Sequence, residues 1–158
     1  MTVQNQTSES RELQLVRIIN ASPEKLFRAW TEPELLKKWF TPSPWTVSVA
    51  KTDVRAGGSS LIVMRSPDGI EYPNQGVYLE IVKNERIFFT DAYTQAWVPS
   101  EKPFLTAIIT FEAMGDKTKY TARVLHWSVA DRHSHEVMGF HQGWSQATDQ
   151  LSALVSSL

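Results

Sequence analysis

Apolar and polar positions alternate at the start of this chain. In residues 12–20 (ELQLVRIIN), Leu13, Leu15 and Ile19 fall on one side and Val16 and Ile18 on the other, which predicts a strand with both faces partly covered. The spacing then lengthens. Ser22 followed by Pro23 supplies an N-cap residue and a proline at the first helical position, where the missing N–H does no harm. Leu26, Phe27 and Trp30 recur behind it at helical spacing. Thr31-Glu-Pro-Glu34 has the form of a capping box, so Thr31 is expected to close this helix and cap a second. Leu35, Leu36, Trp39 and Phe40 form the apolar side of that second helix. Thr41-Pro-Ser-Pro44 ends it, because proline cannot continue a helix and restricts the residue before it.

From Trp45 the period returns to two, with Trp45, Val47 and Val49 alternating with Thr46, Ser48 and Ala50. Gly57-Gly58 reads as a turn or bulge before a strand over residues 60–65, and Ser66-Pro-Asp-Gly69 as a tight turn. Two hairpins are expected next. One joins residues 76–82 to 86–94, and the other joins residues 104–112 to 119–125. The count is about seven strands in near-sequential order, hence an antiparallel sheet. Residues 92–103 are the longest connection with weak local structure, with Trp97 near the middle, as a lid or an interface anchor would have it.

One long helix is expected from Asp131 to the C-terminus, with an apolar stripe of Val137, Phe140, His141, Trp144, Ala147, Leu151, Leu154 and Leu158. Gly143 in its interior costs about 0.8–1 kcal/mol of helix propensity, to be offset by a close backbone approach or by room for a ligand.

Composition narrows the partners. The chain has 158 residues, which suits one domain over residues 11–158 after a polar tail at residues 1–10. That tail lacks the basic and apolar regions of a signal peptide, and no apolar run reaches membrane-span length, so a cytoplasmic location is expected. There is no Cys, which removes disulfides and thiolate metal sites. Sixteen basic against 17 acidic residues give a net charge of −1, so no nucleic-acid partner is expected. Lys37-Lys38 reads as a solvated helix face. His133, His135 and His141 do not share one helical face at ligand spacing, so no metal is expected, and no cofactor is implied.

The order is strand, helix pair, six-strand meander, long helix, and the residues within it are also distinctive. Residues 21–40 (ASPEKLFRAWTEPELLKKWF) resemble the opening signature of the SRPBCC superfamily, in the branch similar to the C-terminal domain of the activator of the heat-shock-protein-90 ATPase. Residues 76–81 (GVYLEI) with 85–87 (ERI) and Phe89-Thr90 resemble that branch's central hairpin, and residues 139–144 (GFHQGW) with Leu151 and Leu154 resemble its terminal helix. The resemblance implies an α+β, helix-grip (START-like, Bet v 1-like) fold, in which a curved antiparallel sheet wraps the C-terminal helix around an apolar cavity. Superfamily members bind lipids, sterols, hormones and polyketides, and some are cyclases or aromatases. Relatives that stimulate the chaperone carry an additional N-terminal domain, for which these 158 residues have no room.

Three functions are therefore expected, from different classes. The first is binding of a small apolar or amphipathic molecule between sheet and C-terminal helix, with Trp39, Phe40, Met64, Tyr78, Phe89, Met138, His141 and Trp144 as the candidate lining. The second is a cyclase, dehydratase or hydrolase using Glu80, His126 or His141 as acid/base, which needs such a group facing the cavity. Tyr78 and Glu80 share a face of their strand by simple alternation, and Glu80 facing outward would pair with Arg86. The third is a chaperone-linked or self-associating module, such as a homodimer, with an exposed apolar patch around Trp97. The residues favour binding over catalysis.

Overall fold

A computed structural model describes residues 11–158, and the polar tail expected at residues 1–10 lies outside them. The elements are β1 (Glu12–Ile19), α1 (Pro23–Thr31), α2 (Pro33–Trp39), β2 (Thr46–Thr52), β3 (Ser59–Arg65), β4 (Glu71–Val82), β5 (Arg86–Thr90), β6 (Tyr93–Gln95), β7 (Val98–Pro99), β8 (Leu105–Met114), β9 (Lys117–His126), α3 (Val129–Val137) and α4 (Phe140–Ser156). Seven strands form one sheet in the order β1-β9-β8-β5-β4-β3-β2, and β6 with β7 makes a small separate ribbon. Every pairing in the large sheet is antiparallel. The strand that opens the domain therefore pairs with the strand that closes the sheet, with Glu12 opposite Leu125 and Ile19 opposite Thr118.

The helix pair starts as its sequence dictates. The Ser22 hydroxyl accepts the Lys25 backbone N–H, and Pro23 occupies the first turn. Leu26, Phe27, Ala29 and Trp30 are buried. Phe27 meets Phe111 of β8 edge-on, and the Trp30 indole N–H donates to the Tyr120 hydroxyl of β9 at 3.1 Å. Thr31 does not cap α2. It is the last residue of α1, and its hydroxyl donates to the Phe27 carbonyl four residues back. Glu32 serves as C-cap of α1 and N-cap of α2 with no side-chain cap bond, so the capping-box expectation is one residue out of place.

The expected single terminal helix is two helices. Gly139 sits at φ 103°, in the left-handed region that interrupts a right-handed helix. The break turns the end of α3 outward, leaving Val137 71% and Met138 75% exposed. Only α4 lies against the core, burying Phe140, Ala147, Thr148, Leu151 and Val155. Arg17 of β1 fastens it from outside, donating to the Asp149 carboxylate at 2.6 Å and the Ser145 hydroxyl at 2.8 Å.

Alternation also fails at one point in β4. A bulge between Tyr78 and Glu80 shifts the register, so Tyr78 pairs with Phe89 and Glu80 with Phe88. Leu79 takes up the extra position, and the two residues part company. Tyr78 is buried, whereas Glu80 is solvent-exposed and accepts from Arg86 at 2.7 Å. The Gly57-Gly58 turn fixes this geometry. Gly57 N–H donates to the Tyr78 carbonyl at 2.8 Å, and Tyr78 N–H donates to the Gly58 carbonyl at 2.9 Å.

Candidate functional site

A small, partly open cavity lies where α1 and α2 cross β3, β4 and β5. Its walls are Trp30 from α1, Leu36 from α2, Phe40 at the α2 C-cap, Ser60 and Ile62 from β3, Tyr78 from β4 and Phe89 from β5. The void open to a water-sized molecule is about 30 Å³, room for roughly two waters. The lining is apolar except for the hydroxyls of Ser60 and Tyr78. Burial pushes the Tyr78 hydroxyl up to about 12, with the adjoining Ser60 side chain partly offsetting the shift. Tyr78 is thus a neutral hydrogen-bonding group at physiological pH.

Aromatic rings set most of the wall. Trp30 is in ring contact with Trp39, Phe40 and Phe89 at centroid distances of 5.0, 5.9 and 6.1 Å. Trp39 is pinned, donating its indole N–H to the Ala29 carbonyl at 2.8 Å. Phe40 is held differently. It begins a segment with no strand or helix of its own over residues 40–45, tied to α4 by two glutamine side chains. Gln150 Nε2 donates to the Trp39 and Thr41 carbonyls at 2.9 and 2.7 Å, and its Oε1 accepts the Ser43 N–H at 2.9 Å. Gln146 Nε2 donates to the Ser43 carbonyl at 3.0 Å.

The sequence-derived lining divides. Phe40, Tyr78 and Phe89 line the cavity together, with Trp30, Leu36, Ser60 and Ile62 in place of the rest. Trp39 is buried behind Trp30, and Met64 packs against the core without reaching the void. Trp144 is half-buried beside Phe140 at a ring distance of 5.3 Å and packs against the core without lining the void. Met138 and His141 are exposed, contrary to their expected place in the wall, because the Gly139 break removes them from the buried stripe. His141 instead meets the Glu136 carboxylate at 3.1 Å. The cavity wall opposite the sheet is therefore the α1–α2 pair and not the C-terminal helix. Trp30 was legible as a core ring, but Ser60 carried no signal in a strand whose inward face was undetermined.

The acid/base candidates lie elsewhere. Glu80, in β4, is solvent-exposed, and His141 is on the surface. His126 is buried near the other end of β9, beside Phe104. Its Nδ1 faces the Arg11 carbonyl at 3.0 Å, which can only accept, so that nitrogen carries the proton. Its Nε2 then accepts from His135 Nδ1 at 2.9 Å. Burial pushes His135 down to about 4, helped by the neighbouring His126. Among the described residues, no group of three or more His, Cys, Asp or Glu converges as a metal site. Trp97 is 62% exposed at the tip between β6 and β7, in edge-on ring contact with Tyr93.

A seven-stranded antiparallel sheet holding a C-terminal helix, with a helix pair after the first strand, defines a helix-grip domain of the SRPBCC type. The match is specific to one branch. The chain belongs to the family described as activator of Hsp90 ATPase homolog 1-like protein, whose pattern matches residues 20–156. Among solved structures, a protein from Nitrosomonas europaea is 37% identical, with 94% of this chain and 96% of that one covered and a TM-score of 0.91. A protein from Chromobacterium violaceum is 26% identical over 91% of this chain and 96% of its own, with a TM-score of 0.76. A protein from Mycobacterium smegmatis, at 23% identity, 93% and 91% coverage and a TM-score of 0.79, shares the fold. Comparison with curated proteins gives no match. No helix among the described residues is long and apolar enough to cross a membrane.

Proposed function

We propose that this domain binds one small, mostly apolar molecule carrying a hydroxyl or carbonyl group, held between the α1–α2 pair and β3–β5. One observation carries the reading: five apolar side chains and two hydroxyls, Ser60 and Tyr78, line one void. That is the composition of a small-ligand site, in which apolar walls supply affinity and a few polar groups fix orientation. Apolar contact contributes about 25 cal/mol per Å² buried. A hydrogen bond to Tyr78 adds roughly 0.5–1.5 kcal/mol, about 2- to 10-fold in affinity. The reaction reading, with a cavity Glu or His, finds no support in the lining, which contains neither residue type.

A thermal-shift series of small phenols, alcohols and ketones beside their hydrocarbon analogues tests the proposal. At least one oxygenated member is expected to raise Tm, with about 2.7 kcal/mol of stabilisation at a hundred times its Kd. Tyr78→Phe is expected to erase its advantage over the matching hydrocarbon. Failure of every compound to stabilise the protein would remove the reading.

A further inference from the structure

A void of about 30 Å³ is far below the roughly 150 Å³ in which an apolar site takes up benzene. A guest therefore enters only if a wall moves. Most of the wall is fixed. Ser60, Ile62, Tyr78 and Phe89 sit in strands with hydrogen-bonded neighbours on both sides. Trp30 is tied to the buried Tyr120, and Leu36 is itself buried in α2. Phe40 is the exception. It is half-buried and lies at the start of residues 40–45, outside every ladder.

That segment is bonded within itself. Trp45 N–H donates to the Pro42 carbonyl at 3.0 Å and the Thr41 hydroxyl to the Trp45 carbonyl at 3.1 Å, so it closes on itself. Trp39, fixed to Ala29, marks where the rigid part ends. Beyond it, three bonds with Gln146 and Gln150, at the Thr41 carbonyl and at the Ser43 N–H and carbonyl, tie the segment to α4. Across the gap, a Cβ at Gly143 would lie 3.9 Å from the Pro42 ring, so α4 presents no bulk against the segment there.

We propose that residues 40–45 form a flap over the cavity, latched shut by Gln146 and Gln150, and that its release swings Phe40 outward to admit the ligand. The ligand half of this rests on the binding reading above, whereas the flap itself does not. Ser43 is on the surface already, and opening breaks the bond its N–H donates to Gln150 Oε1.

Amide hydrogen exchange by NMR on the whole protein tests the flap without any ligand. Ser43 is expected to exchange through a local opening, well before the amides of Ile109 and Val124 in the central strands. Gln146→Ala leaves the Ser43 partner in place and removes one latch bond, so Ser43 exchange is expected to quicken about 2- to 10-fold, the worth of one hydrogen bond. Exchange of Ser43 only with the central strands, or no change in Gln146→Ala, would overturn the flap. A second arm follows uptake of p-cresol by stopped-flow tryptophan fluorescence. Faster uptake in Gln150→Leu supports the flap as the entry route, and equal rates in the two proteins reject it. Quickened Ser43 exchange with no binding of p-cresol or of any other compound in the thermal-shift series upholds the flap and removes the binding reading instead.

Discussion

Gly58 shows how one missing side chain places a functional group. A Cβ there would lie 1.9 Å from the Asp53 carbonyl oxygen, a distance that backbone must move to relieve. The same residue accepts the Tyr78 N–H, and Gly57 donates to the Tyr78 carbonyl. Gly58→Ala is therefore expected to lower the urea midpoint, with a loss of about 1–3 kcal/mol or more from overpacking. An unchanged midpoint would show that the turn yields freely. Gly57-Gly58 was legible as a turn or bulge entering a strand. What it does to Tyr78 was not, because the two glycines act on a residue some twenty positions later through backbone bonds that no periodicity encodes. Strict alternation put Tyr78 and Glu80 on one face, and only the bulge at Leu79 separates a cavity hydroxyl from a surface ion pair.

The elements were read best where local chemistry alone decides them. Ser22-Pro23 starts α1 as its residue types require, and residues 83–85 close the β4–β5 hairpin that joins the two expected strands. The terminal helix was read less well, since an apolar stripe at steps of three and four continues across Met138-Gly139 even though the helix does not. Gly143, inside that stripe, is an ordinary helical residue, half-buried, with free space as far as Pro42. Gly143→Ala is accordingly expected to stabilise the protein, by up to about 0.8–1 kcal/mol of helix propensity. Its added methyl would also rest in van der Waals contact with the Pro42 ring at 3.9 Å. A lower melting temperature would mean that α4 and the segment beneath it need the empty space.

Across the molecule, the His126–His135 pair ties the end of the sheet to α3, and it makes stability depend on pH. His135 titrates near 4 in the folded protein against 6.5 for an ordinary histidine. Between those values the unfolded chain takes up a proton that the folded chain refuses, so stability falls as pH drops from 6.5 to 4 and levels off below. Asp91, near His126 and raised by its burial, contributes in the opposite sense as pH falls. Comparing urea unfolding of the natural protein and His135→Asn at pH 7 and pH 4.5 cancels Asp91's share. The natural protein is expected to lose more, and equal losses would assign the dependence to other groups. The fold as a whole was legible because strand order, helix pair and family signature agree. The location of the cavity was not, because it depends on which helix packs tightly. α4 fills its inner face with Ala147, Leu151 and Val155, which leaves the free space under α1 and α2.

The pairing of β1 with β9 also governs when the sheet can be finished. Glu12 must meet Leu125, and Ile19 must meet Thr118. On a ribosome β1 emerges first and finds no neighbour until nearly the whole chain has followed it. The hairpins from β2 to β5 and from β8 to β9 can zip as they appear, whereas β1 waits with its apolar side chains uncovered. Closing so long a loop is slow, and an unpaired strand is a site for association with other chains in the interval. The order of synthesis and the order of assembly therefore run in opposite directions at the edge of the sheet where the domain begins.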